Sequence, residues 1–264
     1  MDRPFGIVPA AGVGSRLSPY RAPKELIQVG YRPADSDNSA RLLPMAAIDH
    51  VLSAMRLGGV CNALVTLSPA KWDVFRYLGD GRQLDLEVAY LCQDEPRGMP
   101  HAIDLARPFI AGRTVCMGMP DTILTPVDCF ARLLDFHETH RADLSLGIFP
   151  TNSPETLAPV LIEPGSCQVI AVVDKPKVPP AANTWGIACW SPAFTELLHD
   201  FVSGGTPDKR ELLLSDAFVA AVAIGLRVYG LAFADGAYHD IGTTTGVIRA
   251  REYFEARQRI PATF

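Results

Sequence analysis

The chain contains no Cys-x-x-Cys pair, no apolar run near the ~18 residues of a membrane helix, and no excess of positive charge. Each absence removes a class of function. The six cysteines (Cys61, Cys92, Cys116, Cys129, Cys167, Cys189) sit mostly inside apolar stretches such as TVCMGM and GIACW. They read as buried free thiols in a reducing compartment. No leader pattern precedes the first strand, since Asp2 and Arg3 run straight into it. These features predict a soluble cytoplasmic protein with no membrane partner. With 24 basic against 29 acidic residues, the net charge is −5 and the pI about 5.7. A dedicated nucleic-acid binder carries a basic surface, so no nucleic-acid partner is expected. There is no repeat and no low-complexity stretch. No Gly-x-Ser-x-Gly elbow is present and no cysteine has an evident activating neighbour, so nothing points to nucleophilic catalysis.

What is present is an ordinary globular composition, 48% hydrophobic and 20% charged over 264 residues. That length suits one large α/β domain or two small ones. Strand signals at Phe5–Pro9, Asn62–Leu67, Leu86–Leu91, Thr114–Met117 and Asp143–Phe149 alternate with helical ones. The helical signals fall at Pro44–Leu57, Ala70–Leu78, Pro100–Ala106 and Pro126–His140. This rhythm predicts an α/β fold, a Rossmann-like mixed but mostly parallel sheet with helices on both faces. After residue 150 the rhythm changes. Short strands at Val160–Glu163 and Gln168–Val173 flank a Pro164-Gly165 turn, and Thr184–Trp190 is a further strand. Helices at Pro192–Val202 and Lys209–Ile224, strands at Leu226–Ala232 and Tyr238–Ile241, and a helix at Thr245–Arg257 complete the pattern. Tyr31–Arg41 is polar and reads as a mobile loop. The whole is expected to be a single domain, 1–264, with a nucleotide-binding half (1–150) and a sugar-phosphate-binding half (151–264).

The first strand opens into AAGVGSRLSPYRAPKE. Gly12 and Gly14 let backbone N–H groups approach a phosphate, while Arg16 adds a forked cation and Lys24 a point charge. No Gly-Lys-Ser/Thr follows Gly14, so this is not a Walker loop, and the third glycine of a dinucleotide fingerprint is missing. The loop is either a triphosphate site or a glycine turn with two surface cations. Four further clusters lie at strand ends, where open α/β sheets bind ligands. Gln93 and Gly98 in QDEPRG suit a base edge, or form a plain surface loop. Asp121 is a Mg²⁺ ligand or a turn cap. Asp240 is the second carboxylate, or else it or Thr243 caps the last helix. Asp174 and Lys175 are a solvated pair, or hold a sugar hydroxyl and a second phosphate. His137 and His140, at i and i+3, lack a third ligand and read as an exposed helical face.

In this order the clusters resemble the sugar-1-phosphate nucleotidylyltransferases over nearly the whole chain. The head resembles the family's GxGxRLxP…PK signature, and QDEPRGMPHAI its Q-x-E-P-x-G-x-x-H-A segment. VVDKPK is similar to the E-K-P segment, KRELLLSDAF to the G-E-x-x-x-T-D helix, and YHDIGTTTGVIRA to the tail. The resemblance implies Mg²⁺-dependent transfer of a nucleotidyl group from a nucleoside triphosphate, UTP or dTTP favoured and CTP next, to a sugar 1-phosphate. Asp121 and Asp240 would hold Mg²⁺. Arg16, Lys24 and Lys175 would be the catalytic cations. Ala11, Gly12, Gly14, Gln93 and Gly98 would bind the nucleotide. Asp174, Lys175, Gly186 and Glu211 would bind the acceptor. Two alternatives stand beside it: transfer to phosphocholine, a heptose phosphate or a polyol phosphate, and a non-catalytic nucleotide-binding homologue. A homo-oligomer is compatible with the resemblance. The family's sugar-contacting Tyr-Gly is replaced by Leu157-Ala158 or Ala158-Pro159.

Overall fold

A computed structural model describes residues 3–33, 42–95, 97–204 and 211–257. A seven-stranded sheet runs in the order β12 (Val228–Ala232), β8 (Leu144–Pro150), β11 (Asn183–Trp190), β6 (Val115–Gly118), β1 (Phe5–Pro9), β4 (Asn62–Leu67), β5 (Glu87–Cys92). All neighbours are parallel except β11, which is antiparallel to both β6 and β8. The sheet is therefore α/β and mostly parallel, as the alternation predicted. Three antiparallel pairs complete it: β2 (Gln28–Pro33) with β3 (Leu42–Ala46), β9 (Val160–Ile162) with β10 (Val169–Val172), and β7 (Thr122–Thr125) with β13 (Ala237–Asp240).

The strand period of two sends alternate side chains to opposite faces. Val8, Ala63, Val65, Ile187 and Cys189 join one buried cluster, while Ile7, Leu64, Ala188 and Trp190 join the other. Helices Ala47–Leu57 and Cys129–Thr139 cover the first face, and Pro192–Gly204 and Leu214–Ala223 the second. A small third cluster sets the site. Ile27 and Val29 from the head, Ile123 from β7, and Ile241 and Ala250 from the tail pack together. Residues more than 200 positions apart are thereby brought to one rim.

Three expectations are corrected. Tyr31–Pro33 is not loop but the end of β2, paired to Leu42–Pro44; backbone pairing with a distant segment overrides the polar composition, and residues 34–41 lie outside the described residues. The helix expected from Pro44 starts at Ala47, because Ala46 N–H donates to the Asp49 carboxylate (2.9 Å) and the residues before it are strand. His137 is not exposed: it is buried with Nδ1 2.9 Å from Ser145 Oγ, and burial takes its pKa down to about 4. His140 instead bonds the Phe136 carbonyl one turn back. Cys116, Cys129 and Cys189 are buried free thiols; Cys92 is exposed. Among the described residues no helix is long and apolar enough to cross a membrane.

Candidate active site

A cleft of about 1120 Å³ opens beyond the C-terminal ends of β6, β8 and β10. Arg16, Asp121, Asp174, Lys175, Glu211 and Asp240 all line it. The β7–β13 ladder places the two aspartates side by side. Asp240 pairs with Thr122, and Ile241 N–H donates to the Asp121 carbonyl at 3.0 Å. Each carboxylate meets one head-loop cation. Lys24 Nζ lies 2.5 Å from Asp121 Oδ2, and Arg16 Nη1 lies 3.0 Å from Asp240 Oδ2. Asp240 also accepts the Gly242 N–H through Oδ1 (2.7 Å). The last helix is capped by Thr243, whose hydroxyl accepts the Gly246 N–H at 3.1 Å, so Asp240 is left to Arg16. Glycine at 242 leaves room for this pair: a Cβ there would stand 2.5 Å from Arg16 Nη2 and 2.8 Å from Asp240 Oδ1, so the Arg16 end would have to shift.

The electrostatics follow from burial. Desolvation pulls the Lys24 ammonium down, but the Asp121 charge and hydrogen bond, with help from Glu25, outweigh it, and its pKa ends above the usual lysine value. Tyr238, beside both aspartates, is raised first by burial and then by the Asp240 charge. Among the described residues no group of three or more His, Cys, Asp or Glu side chains converges. Two hard carboxylates at the cleft, each now paired with a head-loop cation, could hold only a cation that takes its other ligands from water and phosphate. That is the habit of Mg²⁺ rather than of a metal held in an all-protein cage.

The other end of the cleft is built by β10 and its neighbours. Asp174 and Lys175 follow β10. Lys175 N–H donates to the Leu157 carbonyl (2.7 Å), and its φ of 45° is a left-handed conformation uncommon for a non-glycine residue. Other expected residues stand off the cleft wall. Gln93 is buried, its amide nitrogen 2.9 Å from His101 Nδ1 and 3.5 Å from the Gly98 carbonyl. Gly98 has φ +92° and bridges Leu212, whose carbonyl would lie 2.6 Å from an added Cβ. Ala11 is buried, Gly12 and Gly14 continue the head loop, and Gly14 packs against the Lys24 stem. Gly186 faces Phe149 and Leu124 within the core rather than the cleft.

The sequence pattern did not single out Arg249, on the cleft-facing side of the last helix, or Thr184 and Trp185 of β11. Thr245, Gly246 and Arg249 share a face at helical spacing, which was a legible signal once the helix was placed. Nothing in the local pattern marks Glu25 as buried, yet it is fully buried, 2.5 Å from Lys71 Nζ.

The nucleotidyl transferase family pattern matches residues 5–257. The glucose-1-phosphate thymidylyltransferase of Streptomyces griseus is 24% identical over 246 residues, 92% of this chain and 63% of that protein. The mannose-1-phosphate guanylyltransferase of Mycobacterium tuberculosis is 26% identical over 250 residues, 92% of this chain and 62% of that one. The chain thus spans less than two thirds of the length of these relatives. A solved Bacillus anthracis structure, assigned as a glucose-1-phosphate thymidylyltransferase, superposes with TM-score 0.80 over 98% of this chain and 96% of that one at 20% identity. That likeness concerns the fold.

Proposed function

The chain belongs to the nucleotidyl transferase family, and from that premise we propose that it transfers a nucleotidyl group from a pyrimidine nucleoside triphosphate to a sugar 1-phosphate. The observation that carries this reading is the double pairing of Lys24 with Asp121 and Arg16 with Asp240 at one rim of a single cleft. Two cations and two carboxylates there can meet a triphosphate and its divalent cation together.

An oxygen of the acceptor phosphate attacks the α-phosphorus in line. The bond from that phosphorus to the bridging β-oxygen breaks, and pyrophosphate leaves. The acceptor is already ionised, so no proton need move. The protein's work is position and charge. Lys24, tied to Asp121, lies where an α-phosphate oxygen would develop charge. Arg16, more exposed, reaches the β- and γ-phosphates and the leaving pyrophosphate. Lys175 faces the acceptor phosphate, and Asp174 and Glu211 accept from its hydroxyls. Asp121 and Asp240 would hold Mg²⁺, which supplies further neutralisation of phosphate charge when bound. Gly98 and the Ala11–Gly12 backbone would face the base, joined by Gln93 once its amide leaves His101 and the Gly98 carbonyl; UTP or dTTP is proposed first, CTP next.

A second acceptor class is favoured by one observation. Glu155, Asp174 and Glu211 all line the acceptor end, and among the described residues none is in an ion pair. A phosphate ester that carries an ammonium group would answer that charge.

Pyrophosphate release with Mg²⁺ tests the reading. UTP, dTTP, CTP, GTP and ATP are crossed with glucose 1-phosphate, glucosamine 1-phosphate, phosphocholine and a polyol phosphate. Release with one pyrimidine triphosphate and a sugar 1-phosphate is the expected result. Release only with a purine, or only with phosphocholine, overturns base or acceptor. Nucleotide binding by thermal shift without release in any combination supports the non-catalytic alternative.

A further inference from the structure

Glu25 carries no part of the chemistry above, yet it is the most deeply buried charged residue near the rim. It shares one short turn, Lys24–Leu26, with Lys24. Its Oε1 lies 2.5 Å from Lys71 Nζ, with side-chain exposures of 0% and 8%. Its Oε2 has no hydrogen-bond partner among the described residues. Lys71 comes from another part of the chain, the Pro69–Lys71 turn that follows β4. The Glu25–Lys71 and Lys24–Asp121 pairs are in mutual electrostatic reach.

Such a pair is hard to explain as a stabilising contact. Removing two charges from water costs about as much as their attraction returns, and apolar replacements of similar volume are often neutral or better. An unpartnered carboxylate oxygen makes the case worse. What the pair does achieve is direction. Neighbouring residues of the turn point apart. With Glu25 clamped inward to the end of β4, the Lys24 stem is sent across Gly14, 3.6 Å from its Cβ position, to Asp121. Without the clamp the turn keeps its backbone bonds, Leu26 N–H to the Pro23 carbonyl, Ile27 N–H to the Lys24 carbonyl and Ala47 N–H to the Ile27 carbonyl, and the packing of Leu26 and Ile27, but nothing beyond Asp121 holds the Lys24 side-chain direction.

We infer that Glu25 and Lys71 are a positioning pair that fixes the Lys24 ammonium at the rim of the cleft. This rests on the nucleotidyl-transfer reading, because it assigns Lys24 work to be positioned for. Neither residue touches substrate; both act through Lys24.

Single substitutions would leave an orphan buried charge and unfold the protein for trivial reasons, so the informative variant is the double Glu25→Met/Lys71→Met. Its urea midpoint should equal or exceed that of the wild type. Its KM for nucleotide should stay within about threefold, while kcat falls roughly a hundredfold, the size of effect a ~1 Å misplacement produces. A double variant with wild-type kcat overturns the inference, and so does one in which kcat falls only because the urea midpoint falls. A second readout needs no turnover. Acetylation of Lys24 by acetic anhydride, followed by peptide mass spectrometry, should rise several-fold in the double variant, with the exposed Lys175 as internal reference. Unchanged Lys24 labelling refutes positioning. If the wild type releases no pyrophosphate in any combination, the nucleotidyl-transfer reading fails, and the labelling result still decides whether the pair orients Lys24.

Discussion

His137 offers a quantitative test of how the core treats a polar group. It lies on the inner face of Cys129–Thr139, 5% exposed, bonded to the fully buried Ser145 hydroxyl. Burial lowers its pKa from 6.5 to about 4; Asp143 opposes this weakly and Arg227 adds to it. The folded pKa is below the unfolded one, so the native state favours the neutral ring. Above about pH 6.5 both states are neutral and the full stability is present. As pH falls the unfolded chain takes up a proton first, and stability drops by about 1.4 kcal/mol per pH unit until the native ring also protonates near pH 4. The total is roughly 3 kcal/mol, of which about 2 is lost between pH 7 and 5. That is a substantial part of a typical folding free energy of about 5–15 kcal/mol. His137→Gln keeps a neutral partner for Ser145 and removes the titration. Urea unfolding followed by circular dichroism at pH 7, 6 and 5 should show the wild type losing about 2 kcal/mol more than the variant. Parallel profiles would refute the claim that His137 is held neutral by burial.

Other consequences are as direct. Lys24→Met should lower kcat about 10²–10³-fold, the cost of removing one transition-state donor, and should also cost about 1–3 kcal/mol in urea unfolding because the buried Asp121 loses its partner. Asp121→Ala should abolish turnover to a similar degree and also cost about 1–3 kcal/mol in urea unfolding, because Lys24 loses its charged partner in a largely buried setting. Gly98→Ala forces a side chain at φ +92° and 2.6 Å from the Leu212 carbonyl. It should cost about 1–3 kcal/mol of stability and raise KM for nucleotide, measured by urea unfolding and initial rates. Thiol titration of the native protein should find Cys92 reactive while Cys116, Cys129 and Cys189 stay silent until urea is added. Burial pushes the Cys129 thiol up to about 12 and holds Cys189 well above its usual range, and both it and Cys116 lie 3.3 Å apart at zero exposure.

The pairing of the two head-loop cations with the two aspartates also explains how four charges share one rim. Each cation is already neutralised by a carboxylate. Were a triphosphate to arrive with a divalent cation, the pairs would exchange partners, cations to phosphate and carboxylates to metal, and the net negative charge of the metal–triphosphate would remain for Lys175 and solvent to screen. The site's narrow margin lies in geometry. Gly242 admits Arg16 to Asp240, and a Cβ at Gly246 would fall on the Asp240 carbonyl.

Local pattern determined the strands of the sheet and the helices that cover it; it offered Arg16, Lys24, Asp121, Asp174, Lys175 and Asp240 as candidates with plain alternatives, and the family resemblance selected them. Alternation with period two and glycine stops are written in consecutive residues, and the motifs lie in short runs. Tertiary structure decided what those runs cannot express. β11 enters between β6 and β8 against the parallel direction, and β2 pairs with β3 across a polar stretch. Asp240 meets Arg16 over 224 positions, leaving the cap to Thr243. His137 and Glu25 are inside, although their neighbours in sequence read as exposed. Burial is a property of what packs on a residue from elsewhere in the chain. A charged side chain's partner, its pKa and its role are therefore fixed only when the fold closes.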